Sequence, residues 1–189
     1  MPLLRMRNAS FIGGGCSVGP LTLEVWPGER AALTFASARE ARLAARLASG
    51  IVKASSGRVL IGDYDPRVQS IHCKRIVAFV PHEPMSLSEP DFARYIAYRA
   101  ALWNVDARHA GAYAAFLRER LGEMHEAFAY PLIGALIAMP DLVVLDRPAP
   151  VYAEQILGAI EARAVFSTHT NAAAARAFER PAVLRMTQA

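Results

Sequence analysis

Short apolar runs alternate along this chain with stretches in which apolar residues recur every three or four positions. The segment LTLEVW (21–26) alternates apolar and polar side chains, which is typical of a half-buried strand. Strong helix formers, mainly Ala, Leu and Arg, fill positions 38–48. Strands that alternate with helices predict an α/β fold with a largely parallel sheet. Further predicted strands are 58–62, 75–80, 141–146, 164–168 and 182–186, and further predicted helices lie at 91–103, around 113–121, at 151–163 and at 171–178.

The β-rich beginning and a helical middle, 88–135, depart from this alternation. The middle carries two apolar stripes at helical spacing. GGG at 13–15 is followed by neither a lysine nor a helix start, so it predicts a hairpin turn or loop. The residues predicted to face the core in this pattern are Phe92, Tyr95, Ile96 and Leu102 in one stripe, Tyr113, Phe116, Leu117 and Leu121 in the other, and Trp26 and Trp103.

Composition narrows the class of protein. The 189 residues, 53% of them hydrophobic, are enough for one domain (1–189) with a sizeable core. No apolar run approaches the roughly 20 residues that cross a bilayer, and no signal peptide is evident, so a cytoplasmic location is expected. Cys16 and Cys73 are read as ordinary thiols, and no metal site is predicted.

The formal charge of +4 comes almost entirely from arginines that are dispersed along the chain. A nucleic-acid surface requires clustered basic residues, preferably with aromatic residues between them. The distribution therefore argues against a nucleic-acid partner. It favours a basic surface that meets a protein partner or the acidic inner face of a membrane.

The start of the 38–48 helix carries a helix-capping pattern. Ser37 and Glu40 form the S-x-x-E pattern of a capping box just before the helix formers. In that motif the serine hydroxyl accepts from the backbone of the glutamate, and the carboxylate accepts from the backbone of the serine. The pattern therefore predicts that the helix begins directly after Ser37.

Taken in order, these landmarks resemble the ATP-binding subunit of ABC transporters over roughly residues 20 to 186. The segments that carry the resemblance are LTLEVWPGERAALTF, LASGIVKASSGRVLIGDYDP, RIVAFVPHEPMSLSEPDF, ALIAMPDLVVLDRP and AVFSTHT. The resemblance implies a P-loop NTPase-like ABC ATPase core, with an antiparallel β segment at the N-terminus. It also implies that residues 88–135 form a reduced helical subdomain.

The phosphate loop of that family, GxxxxGK[ST], would fall on residues 35–42. Its two glycines correspond to Phe35 and Glu40, its lysine to Ala41 and its magnesium-binding hydroxyl to Arg42. The capping box would fill the anion-binding helix end with the chain's own carboxylate. The alternative is that Arg39 and Arg42, both near Glu40, bind phosphate in an unusual way.

Other family positions are altered as well. Asp146 matches the carboxylate that holds magnesium through a water, but Arg147 stands at the position of the general base, and a cation cannot accept a proton. Because the hydroxyl ligand and the phosphate loop are missing, the favoured interpretation of Asp146 is a strand-end carboxylate that pairs with a nearby basic group such as Arg147. His169 matches the switch histidine, although a backbone-bonded strand-end histidine is favoured. His82 replaces the family's glutamine and marks either a protein interface or a turn.

The signature window, Gly122–Pro131, contains no LSGGQ motif, and Pro131 is expected to interrupt the helix there. The sequence therefore predicts a catalytically degenerate subunit with a structural or regulatory role and no cofactor. Its expected partners are a permease or a competent ATPase subunit, or the chain forms a dimer. It would therefore reach the inner face of the membrane only through a partner. The groove beside His82 and helix 91–103 is the expected docking surface. The alternatives are an ATPase that uses Arg39, Arg42, Asp146 and His169 to bind magnesium and ATP, and a stand-alone regulatory module.

Overall fold

The computed structural model describes residues 1–161 and 163–179, so the strand predicted at 182–186 lies outside the described residues. A three-stranded antiparallel sheet opens the fold, in the order β2-β1-β4. The triple glycine closes the β1–β2 hairpin, with Gly14 and Gly15 at φ +59° and +70°, where glycine is favoured. The strands are β1 (Leu4–Gly13), β2 (Cys16–Val25) and β4 (Ser56–Ile61).

A four-stranded parallel sheet forms the centre of the protein, in the order β3-β7-β6-β5. Its central strands, β6 and β7, are buried along their whole length. Parallel strands covered on both faces read as continuous apolar runs, as in LVVLD. The strands are β3 (Arg30–Thr34), β5 (Val77–Val80), β6 (Leu142–Asp146) and β7 (Ala164–His169).

Helices cover both faces of this sheet. Helix α1 packs between the parallel sheet and the antiparallel sheet, and it spans the predicted residues, Ala38–Ala48. Residues 88–135 contain three helices, α3, α4 and α5, that pack on the opposite face. The remaining bounds are α2 (Ser70–Ile76), α3 (Glu89–Trp103), α4 (Ala107–Leu121), α5 (Glu126–Leu136), a 3₁₀ turn (Pro150–Tyr152), α6 (Ala153–Ala159) and α7 (Ala172–Phe178).

Two secondary-structure predictions were wrong. The strand predicted over 75–80 begins at Val77, because Ser70–Ile76 form the unpredicted helix α2, whose N-cap Gln69 makes no side-chain capping bond. Pro131 lies inside α5 and does not interrupt it. The Ala127 carbonyl, which would have bonded to an N–H at position 131, accepts one from Met85 instead (2.7 Å).

Three of the predicted core residues are exposed. Trp26 follows the last residue of β2 and is 42% exposed, because the strand alternation ends before it. Leu102 and Phe116 lie on outward faces of α3 and α4 and are 54% and 47% exposed. Trp103 is half-buried.

Candidate functional site

The predicted site residues gather at one edge of the parallel sheet. Strands β3, β7, β6 and β5 run in the same direction, so their carboxyl ends meet there. In open α/β sheets this edge is where ligands bind. The residues that end or follow these strands include Ser37, His82, Asp146, Arg147 and His169.

The capping box at the start of α1 is present as predicted. The Glu40 N–H donates to Ser37 Oγ (3.2 Å), and the Ser37 N–H donates to Glu40 Oε2 (3.0 Å). The connection from β3 consists of residues 35–37, and the Phe35 N–H donates to the His169 carbonyl (2.9 Å). The N–H groups of Phe35, Ser37 and Glu40 therefore all bond within the chain. Ala41, which the sequence resemblance aligns with the family's lysine, is fully buried.

The two arginines of this junction take partners other than Glu40. Arg39 donates to the carbonyl of Gly14 in the β1–β2 turn. Arg42 pairs with the carboxylate of Glu83, and its Nε lies 3.7 Å from Asp146 Oδ2. The guanidinium of Arg42 thus joins the N-terminal half of α1 to the segment after β5 and to the end of β6.

Asp146 and Arg147 form the predicted pair. Arg147 Nε donates to Asp146 Oδ1 (2.8 Å) and Nη2 to Oδ2 (3.2 Å), and the Asp146 side chain is 1% exposed. Arg147 adopts φ +47°, its N–H donates to the Thr168 carbonyl (2.9 Å), and its own carbonyl lies 2.9 Å from His82 Nδ1. Glu83, Arg42, Asp146 and Arg147 therefore form a chain of alternating charges along this edge.

His169 is buried away from this chain of charges. Its Nε2 lies 2.9 Å from Ser167 Oγ, and its ring packs on Phe178 at 5.3 Å between centroids. The expected backbone bond was wrong: the observed partner is a side-chain hydroxyl, because residues two apart on a strand face the same side. Burial lowers the pKa of His169 from its ordinary 6.5 to about 4, so the imidazole is neutral at pH 7.

A small cleft of about 30 Å³ opens beside His82. It separates the ends of β5 and β6 from α5 and the start of α6. The cleft lies beside His82, but none of its lining residues belongs to α3, the helix that the expected docking surface included. The cleft is lined by Val80, Pro81, His82, Met124, Phe128, Leu132, Leu145, Arg147, Pro148, Ala149 and Ile156.

Two general features of the described part of the chain bear on function. Within residues 1–161 and 163–179, no three His, Cys, Asp or Glu side chains are grouped so that they could hold a metal ion. Over the same ranges, no helix combines the length and apolar character that crossing a membrane requires.

Comparison with solved structures identifies the fold. A structure described as the ATP-binding subunit of an ABC transporter superimposes with a TM-score of 0.74 at 15% identity, over 93% of this chain and 82% of that chain. The structure of cbiO1 from Clostridium perfringens, part of the ABC transporter complex cbiONQ, matches with a TM-score of 0.66 at 16% identity, over 89% and 78%. The chain has the fold of an ABC transporter ATP-binding subunit.

A bacterial Atm1-family ABC exporter with ATP bound matches with a TM-score of 0.61 at 17% identity, over 88% of this chain and 34% of the exporter chain. No protein-family model matches the sequence, and no curated protein matches it. The ABC-type fold is therefore established by tertiary structure, including the parallel core and the antiparallel N-terminal segment that the resemblance implied.

Sequence reasoning missed two residues of this ABC-type edge. Glu83 pairs with Arg42, although 41 residues separate them. Its adjacency to His82 in VPHEP was the available signal. Ser167 supplies the hydroxyl bonded to His169, and its position two residues earlier on the same strand was the signal there.

Proposed function

We propose that this chain is a non-hydrolysing ABC-type subunit that serves as a structural or regulatory component of an ABC transporter complex. The capping box at α1 is the observation that carries the proposal. A phosphate loop must turn backbone N–H groups toward an anion. Here the N–H groups of Ser37 and Glu40 bond to each other's side chains. The carboxylate of Glu40 also places negative charge where phosphate would have to approach.

The pairing of Arg42 with Asp146 is a second support. By resemblance, Arg42 stands at the position of the hydroxyl that ligates magnesium, and Asp146 stands at the position of the carboxylate that holds the ion through a water. The Arg42 guanidinium, 3.7 Å from that carboxylate, already supplies a positive charge there. A divalent cation at the same place would be repelled. The residues present therefore do not fit magnesium and ATP.

Arg147 is a third support. It stands where the family has its general base, and its guanidinium is bonded to Asp146 through two hydrogen bonds. A guanidinium stays protonated under all physiological conditions, so it cannot take a proton from an attacking water. No hydrolytic step is assigned to this site.

Calorimetric titration of the full chain with ATP and Mg²⁺ tests the proposal. We expect no binding at ATP concentrations up to about 1 mM, a Kd that corresponds to a binding free energy of only about 4 kcal/mol. Binding in the low micromolar range that is lost in Arg42→Ala and kept in Arg108→Ala would favour a nucleotide-binding enzyme with unusual ligands and would overturn the proposal. Arg108 is the matched control because it is exposed on α4.

The partner we propose is a transporter component that docks at the cleft beside His82. The similar solved structures include a part of an ABC transporter complex and an ABC exporter. We expect capture of the tagged chain at native expression to recover a permease or ATPase subunit. Ala149→Arg, which places a long cation in the cleft, should abolish recovery, and Val151→Arg on the exposed surface beside it should not. Recovery of no transporter component would favour a stand-alone regulatory module.

A further inference from the structure

Helix α2 and the turn before it present an exposed surface with an unusual composition. Val68 is 81% exposed and Ile71 is 68% exposed. Burying such aliphatic side chains is favourable because it removes apolar area from water. We name this region the α2 surface and define it by Arg67, Val68, Ile71, Lys74 and Arg75.

The charge of the α2 surface is entirely positive. The segment RVQSIHCKR (67–75) contains no acidic residue. Ile71, Lys74 and Arg75 follow i, i+3, i+4 spacing on one exposed face of α2, while Cys73 faces the core. In the described part of the chain, Lys74 and Arg75 have no acidic partner within 4 Å, whereas Arg67 is bonded to Asp65 (2.7 Å).

The positive charge continues from the α2 surface onto the antiparallel sheet. Asp65, the partner of Arg67, also lies 3.7 Å from Arg58 on β4. Arg58 stands directly opposite Arg7 of β1 in the strand register. Like charges opposite each other in a sheet repel. One carboxylate, Asp65, thus pairs with both Arg58 and Arg67, and Arg7 lies beside Arg58.

We propose that the α2 surface, with Arg7 and Arg58 beside it, contacts an anionic lipid surface directly. Four to eight clustered basic residues are typical of segments that bind acidic headgroups. Aliphatic side chains among them suit the boundary between headgroups and acyl chains. A nucleic-acid site would instead use aromatic residues that are free to stack on bases. The aromatic residues at this helix, Tyr64 and His72, already stack on each other, with 4.8 Å between ring centroids.

Such binding is peripheral and reversible. Each basic residue near an acidic membrane surface strengthens partition about fivefold at moderate ionic strength. Two aliphatic side chains add a modest apolar contribution. The proposed membrane contact does not depend on whether the chain binds nucleotide, because it involves neither α1 nor the cleft beside His82.

Co-sedimentation of the full chain with vesicles tests this inference. The vesicles contain phosphatidylcholine alone or with about one third phosphatidylglycerol. We expect binding to the anionic vesicles, no binding to the neutral ones, and release at high salt. The double change Lys74→Gln/Arg75→Gln should weaken binding by roughly 20-fold. The double change Val68→Ser/Ile71→Ser should weaken it by roughly tenfold.

Matched controls show whether the loss of vesicle binding is specific to the α2 surface or follows the loss of any exposed cation or valine. Arg108→Gln and Val151→Ser change an exposed cation and a 76% exposed valine elsewhere and should bind like the unaltered chain. Circular dichroism of each variant shows whether it is folded, and only folded variants are compared.

Three results would overturn the inference. The first is an absence of binding to anionic vesicles, or equal binding to neutral vesicles. The second is a dimer, seen by analytical ultracentrifugation, that Val68→Ser/Ile71→Ser dissociates, because a second copy would then cover the surface. The third is binding to single-stranded RNA that is tighter than vesicle binding and is lost in Lys74→Gln/Arg75→Gln. A failed vesicle test leaves the ATP titration unaffected, so the two proposals are tested independently.

Discussion

Arg147 combines an unusual backbone conformation with a charge that pairs with a buried carboxylate. Its φ of +47° is uncommon for a residue with a side chain and costs on the order of 1 kcal/mol. Hydrogen bonds from its N–H to Thr168 and between its carbonyl and His82 hold that conformation. In this conformation the guanidinium folds back onto the neighbouring Asp146, whose buried carboxylate would otherwise be costly. The strained Arg147 thus balances the charge of Asp146 at this edge of the sheet.

The capping box predicts a measurable loss at one residue. Ser37→Ala removes the acceptor of the Glu40 N–H, so we expect the free energy of unfolding to fall by about 0.5–2 kcal/mol. Urea denaturation measures the change. Ser86→Ala, in an exposed loop position, is the control and should be close to neutral. Equal effects of the two substitutions would show that Ser37 does not cap α1.

His169 predicts a pH dependence of stability. Its pKa is about 4 in the folded protein and 6.5 ordinarily, so between these values the unfolded chain binds a proton that the folded chain does not. This contribution to the free energy of unfolding is therefore fully present above pH 6.5. It falls by roughly 2–3 kcal/mol as the pH drops toward 4. The His169→Gln variant has no titrating group at this position. The difference in free energy of unfolding between this variant and the unaltered chain should therefore change over this pH range.

Denaturation at pH 7 and near pH 4.5 measures that difference. His109→Gln is the control, since its side chain is 87% exposed. A difference between the unaltered chain and His169→Gln that is the same at both pH values would contradict the assignment.

Helices α3 and α5 pack through a close contact at a glycine. A Cβ at Gly134 would lie 2.3 Å from Tyr95 Cε1, so the glycine admits the tyrosine ring between the helices. Arg99 Nε reinforces the contact by donating to the Gly134 carbonyl (2.9 Å). The same helix tolerates Pro131 because the Met85 N–H replaces the missing bond. Packing against α3 and the preceding loop therefore stabilises α5 more than its own helix propensity does.

This contact reverses the usual effect of replacing a helical glycine. Gly134→Ala should destabilise the protein by about 1–3 kcal/mol, because overpacking outweighs the gain in helix propensity. Gly111→Ala on α4, where a Cβ would meet nothing within 4 Å, should be stabilising by about 0.5–1 kcal/mol. Adding Tyr95→Leu should recover much of the loss. Thermal denaturation of the variants measures these changes, and a stabilising Gly134→Ala would contradict the packing argument.

The two hydrophobic cores lie on opposite faces of the parallel sheet and share its strands. One core joins α1 to the antiparallel sheet, and the other joins α3 through α7. Neighbouring residues of the same strand belong to different cores, as Val144 and Leu145 do in β6. Loss of either core would expose one face of this sheet, so the cores are expected to unfold together.

The two tryptophans report on this cooperativity. Trp26 follows β2 in the antiparallel sheet, and Trp103 ends α3 in the helical region. In urea, Trp26→Phe and Trp103→Phe each leave one fluorescent probe, and the two midpoints should follow the circular dichroism of the same variant. A fluorescence transition that separates from the circular dichroism transition in either variant would show that the regions unfold independently, and that residues 1–189 are not one domain.

The sequence alone determined the elements whose signals are local. The bounds of α1 and its capping box follow from Ser37, Glu40 and the helix formers between 38 and 48, because these residues interact within one turn. The buried strands β6 and β7 follow from short apolar runs. The glycine turn and the pairing of Asp146 with Arg147 were predictable for the same reason, since each involves adjacent residues.

Tertiary structure decided the features that depend on residues far apart in the chain. Arg39 meets Gly14, and Arg42 meets Glu83 and Asp146, across separations that no sequence period encodes. Helix α5 continues through Pro131 because Met85 from another segment supplies a hydrogen bond. The α2 surface arises because tertiary packing buries Cys73 and leaves Ile71, Lys74 and Arg75 outside. Local interactions thus set the elements, and long-range contacts set which charges and apolar groups meet.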